Sequence, residues 1–113
     1  MESTRQKKVS RLLQKELAEI LRQKTTELAR GKMITVTTVR VSPDLGMAKV
    51  YLSIFPSDDS EETLESIREN TPRIRNELGN KVRHQLRLIP EIAFYLDDSL
   101  DYIDNIDSLL NED

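Results

Sequence analysis

The sequence predicts an α+β fold, a single domain whose three strands pack one face against helices. Three observations carry that expectation. A long N-terminal segment repeats apolar residues at three- and four-residue steps, a β-branched hairpin surrounds a Pro/Asp/Gly turn, and a second helical stretch closes before Pro90 and a last alternating run. At 113 residues the chain has room for one core of that kind and not for two. The expected division is a domain over 1–98 and an acidic C-terminal tail over 99–113.

Val9, Leu12, Leu13, Leu17, Ile20, Leu21 and Leu28 place one apolar face on a first helix from about Ser3 or Thr4 to Ala29. Gly31 supplies its stop, with Arg30 near the last carbonyls. Residues 34–41 are β-branched almost throughout and form a strand, and the apolar phase shifts between Val36 and Val39, as at a bulge. Ser42-Pro43-Asp44-Leu45-Gly46 makes a tight turn in which Gly46 is free to take a positive φ. The return strand, Met47 to Phe55, sets Ala48, Val50, Leu52 and Ile54 on one face.

Residues 56–60 link to a short helix over about 61–69 and supply its cap. Asn70-Thr71-Pro72 interrupts that helix. Thr71 suits an N-cap and Pro72 the first helical position, so a new helix starts there. It carries Ile74, Leu78, Val82 and Leu86 and ends before Pro90, where residues 88 and 89 become extended. Glu91 to Asp97 is the third strand, with Ile92, Phe94 and Leu96 facing inward. Beyond it, Leu100, Ile103, Ile106 and Leu110 line one side of a short helix or a frayed tail.

The composition excludes several classes of function. With no cysteine there are no disulfides, thiolate metal sites or cysteine nucleophiles. The N-terminus leads into no signal-type apolar run, and no stretch approaches a membrane span, so a cytoplasmic protein is expected. His84 is the single histidine and lies among cations, which leaves no metal set and no nucleophile–base pair. The aspartates after residue 96 lack the glycine and closing glutamate of a calcium loop. No glycine-rich phosphate loop is present. No enzyme and no cofactor are expected.

The net charge of −3 conceals blocks of opposite sign. Residues 1–50 hold eleven Lys/Arg against five acids, 51–66 five acids and no base, 67–90 six bases against two acids, and 91–113 eight acids and no base. At about 100° per residue, Lys7, Lys8, Arg11, Lys15 and Arg22 fall opposite the apolar stripe of the first helix. Arg73, Asn76, Asn80, Arg83, His84 and Arg87 gather along the later helix, opposite Ile74, Leu78 and Val82, and Lys81 is a further RNA-binding candidate there. Arg75 lies nearer the apolar side and suits pairing at the helix start. Acid-free cationic faces with added amide donors fit a phosphate backbone, and the plain alternative is a solvated helix surface. Tyr51 and Tyr95 suit burial against a helix or stacking on bases.

Several segments in order resemble the ribosome-binding factor A family. They are the run from Met33 to Tyr51 through Ser42-Pro43-Asp44-Leu45-Gly46, the runs Ile74-Arg75-Asn76-Glu77-Leu78-Gly79 and Leu86-Arg87-Leu88-Ile89-Pro90-Glu91-Ile92, and the tail pieces Asp98-Ser99-Leu100 and Ile106-Asp107-Ser108-Leu109-Leu110. The resemblance implies a type II KH-like domain, monomeric off the ribosome, with no active site. It also implies binding to 16S rRNA on the free 30S subunit during late maturation, support of 5′-end processing, and a part in growth in the cold. The RNA-binding residues it implies are the first-helix stripe and the later basic face, Arg75 included. Two departures from the family stand out. Asn70, Thr71 and Pro72 occupy the interhelical kink where the family has a small-residue Ala-x-Gly, and Pro72 removes one backbone N–H there. The Gly-x-x-Gly loop of ordinary KH domains is absent as well. A module that binds another protein, without RNA, is the second reading.

Overall fold

The computed structural model describes residues 3–28 and 31–97, so Arg30 and the tail expected over 99–113 lie outside the described residues. The elements run α1 (Thr4–Gln23), α2 (Thr25–Leu28), β1 (Met33–Val41), β2 (Met47–Phe55), α3 (Ser60–Glu69), α4 (Thr71–Val82) and β3 (Glu91–Leu96). The strands lie in the order β1-β2-β3, with β1 antiparallel and β3 parallel to β2. This α+β sandwich with a mixed three-stranded sheet follows the expected element order.

Alternation sorts the sheet into two faces. Val36, Val39, Val41, Ala48, Val50, Leu52, Ile54, Ile92 and Phe94 are buried beneath the helices. Val9, Leu13, Leu17, Ile20 and Leu21 of α1, Leu64 and Ile67 of α3, and Ile74, Leu78 and Val82 of α4 complete one core. The register shifts between Val36 and Thr38, the bulge that the phase change in the sequence marks.

Helix α1 begins with a capping box: the Ser3 hydroxyl accepts from the Gln6 N–H, and the Gln6 side chain accepts from the Ser3 N–H. Gln6 then donates to the Val41 carbonyl at 2.9 Å, and Gln14 donates to the Val36 carbonyl at 3.2 Å. Two glutamines thus satisfy carbonyls along β1, the edge strand on this side.

The first helix stops at Gln23 rather than near Ala29. The Thr25 hydroxyl donates to the carbonyls of Leu21 and Arg22, competing with the helical ladder. Lys24 turns inward, 8% exposed, to meet Glu77 at 2.8 Å. Gly31 does take a positive φ of 86°, and its N–H reaches the Thr25 carbonyl, closing α2. Glu77→Gln would leave the Lys24 ammonium without its counter-charge. We expect a loss of about 1–3 kcal/mol in urea unfolding. The loss stays below that of a fully buried pair because the Glu77 side chain is 38% exposed.

Other local expectations shift by a residue or more. In the hairpin Leu45, not Gly46, has φ near 61°. A Cβ at Gly46 would crowd the exposed Asp44 carboxylate at 3.3 Å, and that carboxylate accepts the Gly46 N–H at 3.0 Å. Asp59 precedes α3 in the left-handed region and makes no side-chain cap. Asn70, not Thr71, is the N-cap of α4, and its side chain is spent on the Ser66 carbonyl of α3. Helix α4 ends at Val82, several residues before Pro90, and β3 ends at Leu96 rather than Asp97. Arg83, His84 and Arg87 therefore lie in the turn after α4 and not on a helical face.

Candidate nucleic-acid interface

Helices α1 and α4 lie side by side and antiparallel, as their contacts show in order. Arg73 at the start of α4 pairs with Glu27 of α2, Glu77 with Lys24, and Lys81 lies near enough to Glu19 to help hold its carboxyl below the usual range. Farther on, Leu86 and Ile89 line one cleft together with Val9 and Leu12. The packing that buries Ile74, Leu78 and Val82 therefore brings the two basic sets of the sequence onto one side of the molecule.

Within that side the expected residues divide. Lys7, Lys8, Arg11 and Lys15 are exposed on α1, opposite its buried stripe. Lys81, Arg83 and Arg87 are exposed on α4 and the turn after it, with Asn76 and Asn80 beside them. None of these seven cations forms an ion pair among the described residues. Arg22 and Arg73 are committed locally. Arg22 bridges Glu19 at 2.6 Å, and the Arg73 guanidinium donates to the Glu27 carboxylate. Arg75 forms no ion pair at the helix start among the described residues. Its guanidinium donates to the carbonyls of Pro90 at 3.0 Å and Ile89 at 2.6 Å, tying the entry of β3 to α4.

Two adjoining hollows follow the 85–90 segment. A cleft of about 670 Å³ opens between α1, the hairpin turn and residues 85–90, with Arg5, Lys8, Arg75 and Arg87 around Val9, Leu12, Leu45 and Leu86. A shallower one of about 420 Å³ is lined by Pro72, Asn76, Gly79, Asn80, Arg87 and Leu88. A Cβ at Gly79 would make only an ordinary contact with Ile89, at 3.5 Å. Arg5 and the 80% exposed Leu88 belong to this surface but not to the set expected from the sequence. On a helical wheel Arg5 falls near the apolar edge, and Leu88 reads as core in any pattern of apolar residues.

Of the expected kink residues, Pro72 is exposed at the rim of the shallower hollow, while Asn70 and Thr71 are half-buried. Tyr51 and Tyr95 are not buried against a helix. They stack on each other on the opposite side of the sheet.

No described helix is long and apolar enough to cross a membrane, and no group of acids or histidine among the described residues has the make-up of a metal site. The cationic side offers charge, amide donors and a short apolar floor, which suits binding a polyanion.

The family model of ribosome-binding factor A matches residues 5–110. This chain belongs to the ribosome-binding factor A family. The ribosome-binding factor A of Christiangramia forsetii is 50% identical over 107 residues, 94% of this chain and 82% of that one. That of Cytophaga hutchinsonii is 46% identical over 112 residues, 99% and 84% of the two chains. In three dimensions the chain is similar to the crystal structure of ribosome-binding factor A from Thermus thermophilus, with a TM-score of 0.69 at 23% identity over 80% of this chain and 94% of the other. It is also similar to coordinates of the Thermus thermophilus factor fitted into a cryo-EM map of its 30S complex. There the TM-score is 0.62 at 26% identity, covering 77% and 89%.

For this family member the pairing of Arg73 sets a pH expectation. The Arg73 hydrogen bond, opposed by desolvation and helped by the charges of Arg73 and Lys24, holds the Glu27 carboxyl below the usual range. A lowered folded pKa stabilises above the ordinary carboxylate value and is lost as pH falls through the lowered one. Arg73→Ala is expected to move the Glu27 midpoint up toward its ordinary value in a carbon-detected NMR titration. An unmoved midpoint would show that the pair does not persist in solution.

Proposed function

We propose that the chain is a non-catalytic assembly factor of the bacterial cytoplasm that binds the free 30S subunit through 16S rRNA. In this reading it acts as a monomer during late maturation and supports 5′-end processing, including in the cold. The observation that carries the reading is a cationic surface, unpaired among the described residues, formed by Lys7, Lys8, Arg11 and Lys15 of α1 with Lys81, Arg83 and Arg87 beside them. Seven such cations on one side repel one another, and phosphates relieve that repulsion while releasing counterions. The Thermus thermophilus factor with its 30S complex supports the choice of subunit. The domain proper is taken to end near residue 98, with 99–113 as a separate acidic tail.

A protein-only module is the second reading, favoured by Met33 and Phe55, which are cross-strand partners and 66% and 70% exposed. Capture of the tagged chain from a lysate, with and without ribonuclease, separates the two. Loss of small-subunit proteins from the eluate after nuclease supports the RNA-held complex, and their full retention favours the protein module.

A further inference from the structure

The sheet has a second face that no described element covers. Thr38, Arg40, Lys49, Tyr51, Ala93 and Tyr95 alternate there with the core positions. The rings of Tyr51 and Tyr95 stack with centroids 5.6 Å apart, and the Arg68 guanidinium sits 5.7 Å from the Tyr95 centroid. Arg68 is held there by two hydrogen bonds to the Phe94 carbonyl on the edge of β3. Arg40 and Lys49 are direct register partners, both exposed and with no ion pair among the described residues. Like charges set opposite each other destabilise a strand pair unless an anion lies over them.

The chain leaves β3 on this same face. The Thr37 hydroxyl donates to the Asp97 carboxylate, and Thr38, Arg40, Tyr51 and Asp97 line one shallow hollow. The sequence that continues from Asp97 holds six acids and no base over residues 98–113, with Leu100, Ile103, Ile106 and Leu110 at helical spacing. As a helix, residues 98–110 would measure about 20 Å, and β3 at six residues spans about 20 Å.

We propose that the C-terminal segment of this chain turns back and docks across the open face of its own sheet. Its apolar stripe lies on Met47, Ala93 and the Tyr51–Tyr95 stack, and its aspartates lie over Arg40 and Lys49. The chemistry is complementary in both parts: an acidic amphipathic strip over paired cations and exposed rings. The docking also holds the acids of the tail on the side of the sheet away from α1 and α4, where they do not oppose a polyanion.

The absence of cysteine allows a single Ser108→Cys to carry a spin label in the full-length chain. The amide signals of Lys49, Tyr51, Ala93 and Tyr95 are expected to broaden strongly while those of α1 and α4 stay sharp. Ile103→Asp or Lys49→Glu in the labelled chain should restore the lost signals, since the first variant alters the docked stripe and the second the charge beneath it. No broadening on the sheet would overturn the proposal, as would broadening confined to residues 8–15 and 83–87. So would broadening that persists when labelled chains carrying no isotope are mixed with isotope-enriched, unlabelled ones, because that places the tail on a second copy.

Discussion

Lys15→Glu combined with Arg83→Glu is expected to remove association with free small subunits at physiological salt and leave the thermal unfolding midpoint of the chain where it is. Both side chains are exposed and neither forms an ion pair among the described residues, so the fold loses little with either. Their value lies in binding. A charge-assisted contact contributes about 1.5–3 kcal/mol, so losing two weakens binding by at least roughly a hundredfold, before the repulsion of the new carboxylates is added. The salt dependence should also become shallower, its slope falling by about one per phosphate contact removed. Arg22→Glu is the informative contrast. That guanidinium already bridges Glu19, and its reversal should cost binding much less. Pelleting with purified subunits across a salt series measures all of this, and undiminished binding by the folded double variant would dismiss the proposed surface.

Phe94→Ala is expected to destabilise the domain by about 3–5 kcal/mol, a large part of the roughly 5–15 kcal/mol that holds a domain of this kind together. Phe94 is 1% exposed and stands beside Val50 in the β2–β3 register, on the face where α3 and α4 meet the sheet. Its removal leaves a void where both helices meet the sheet, and the parallel pairing of β3 has no hairpin to hold it in place. Urea unfolding reads the loss. A cost under about 1 kcal/mol would contradict a single well-packed core, because large-to-small changes are mild only where the surroundings collapse freely.

The parts of the fold that are written locally were legible in the sequence. The α1 stripe, the alternation of Ala48, Val50, Leu52 and Ile54, the bulge near Thr37 and the break at residue 70 each follow from neighbouring residues alone. The misjudged boundaries depend on distant partners. The step Ile74, Leu78, Val82, Leu86 continues past the end of α4. Arg75, bonded to the carbonyls of residues 89 and 90, ties that segment back alongside α4. Lys24 ends α1 partly because its partner lies on α4, and no helical wheel contains Glu77.

The candidate surface was half legible for the same reason. Lys7, Lys8, Arg11 and Lys15 stand opposite buried residues of their own helix, which periodicity reveals. That Arg73 is occupied by Glu27 and Arg75 by backbone carbonyls requires the fold. The Arg22–Glu19 pair, three residues apart, was within reach of the sequence. The open sheet face gave a weaker sign. Tyr51, Lys49 and Arg40 sit at outward positions of strands, but only the strand order brings Tyr95 beside Tyr51.

The most direct test of the RNA-held complex is gradient sedimentation of the tagged chain in a cell lysate, repeated across a salt series. The cationic surface predicts co-migration with free small subunits at low salt that is lost steeply as salt rises. Migration as a small free species even at low salt, or co-migration indifferent to salt, would contradict it.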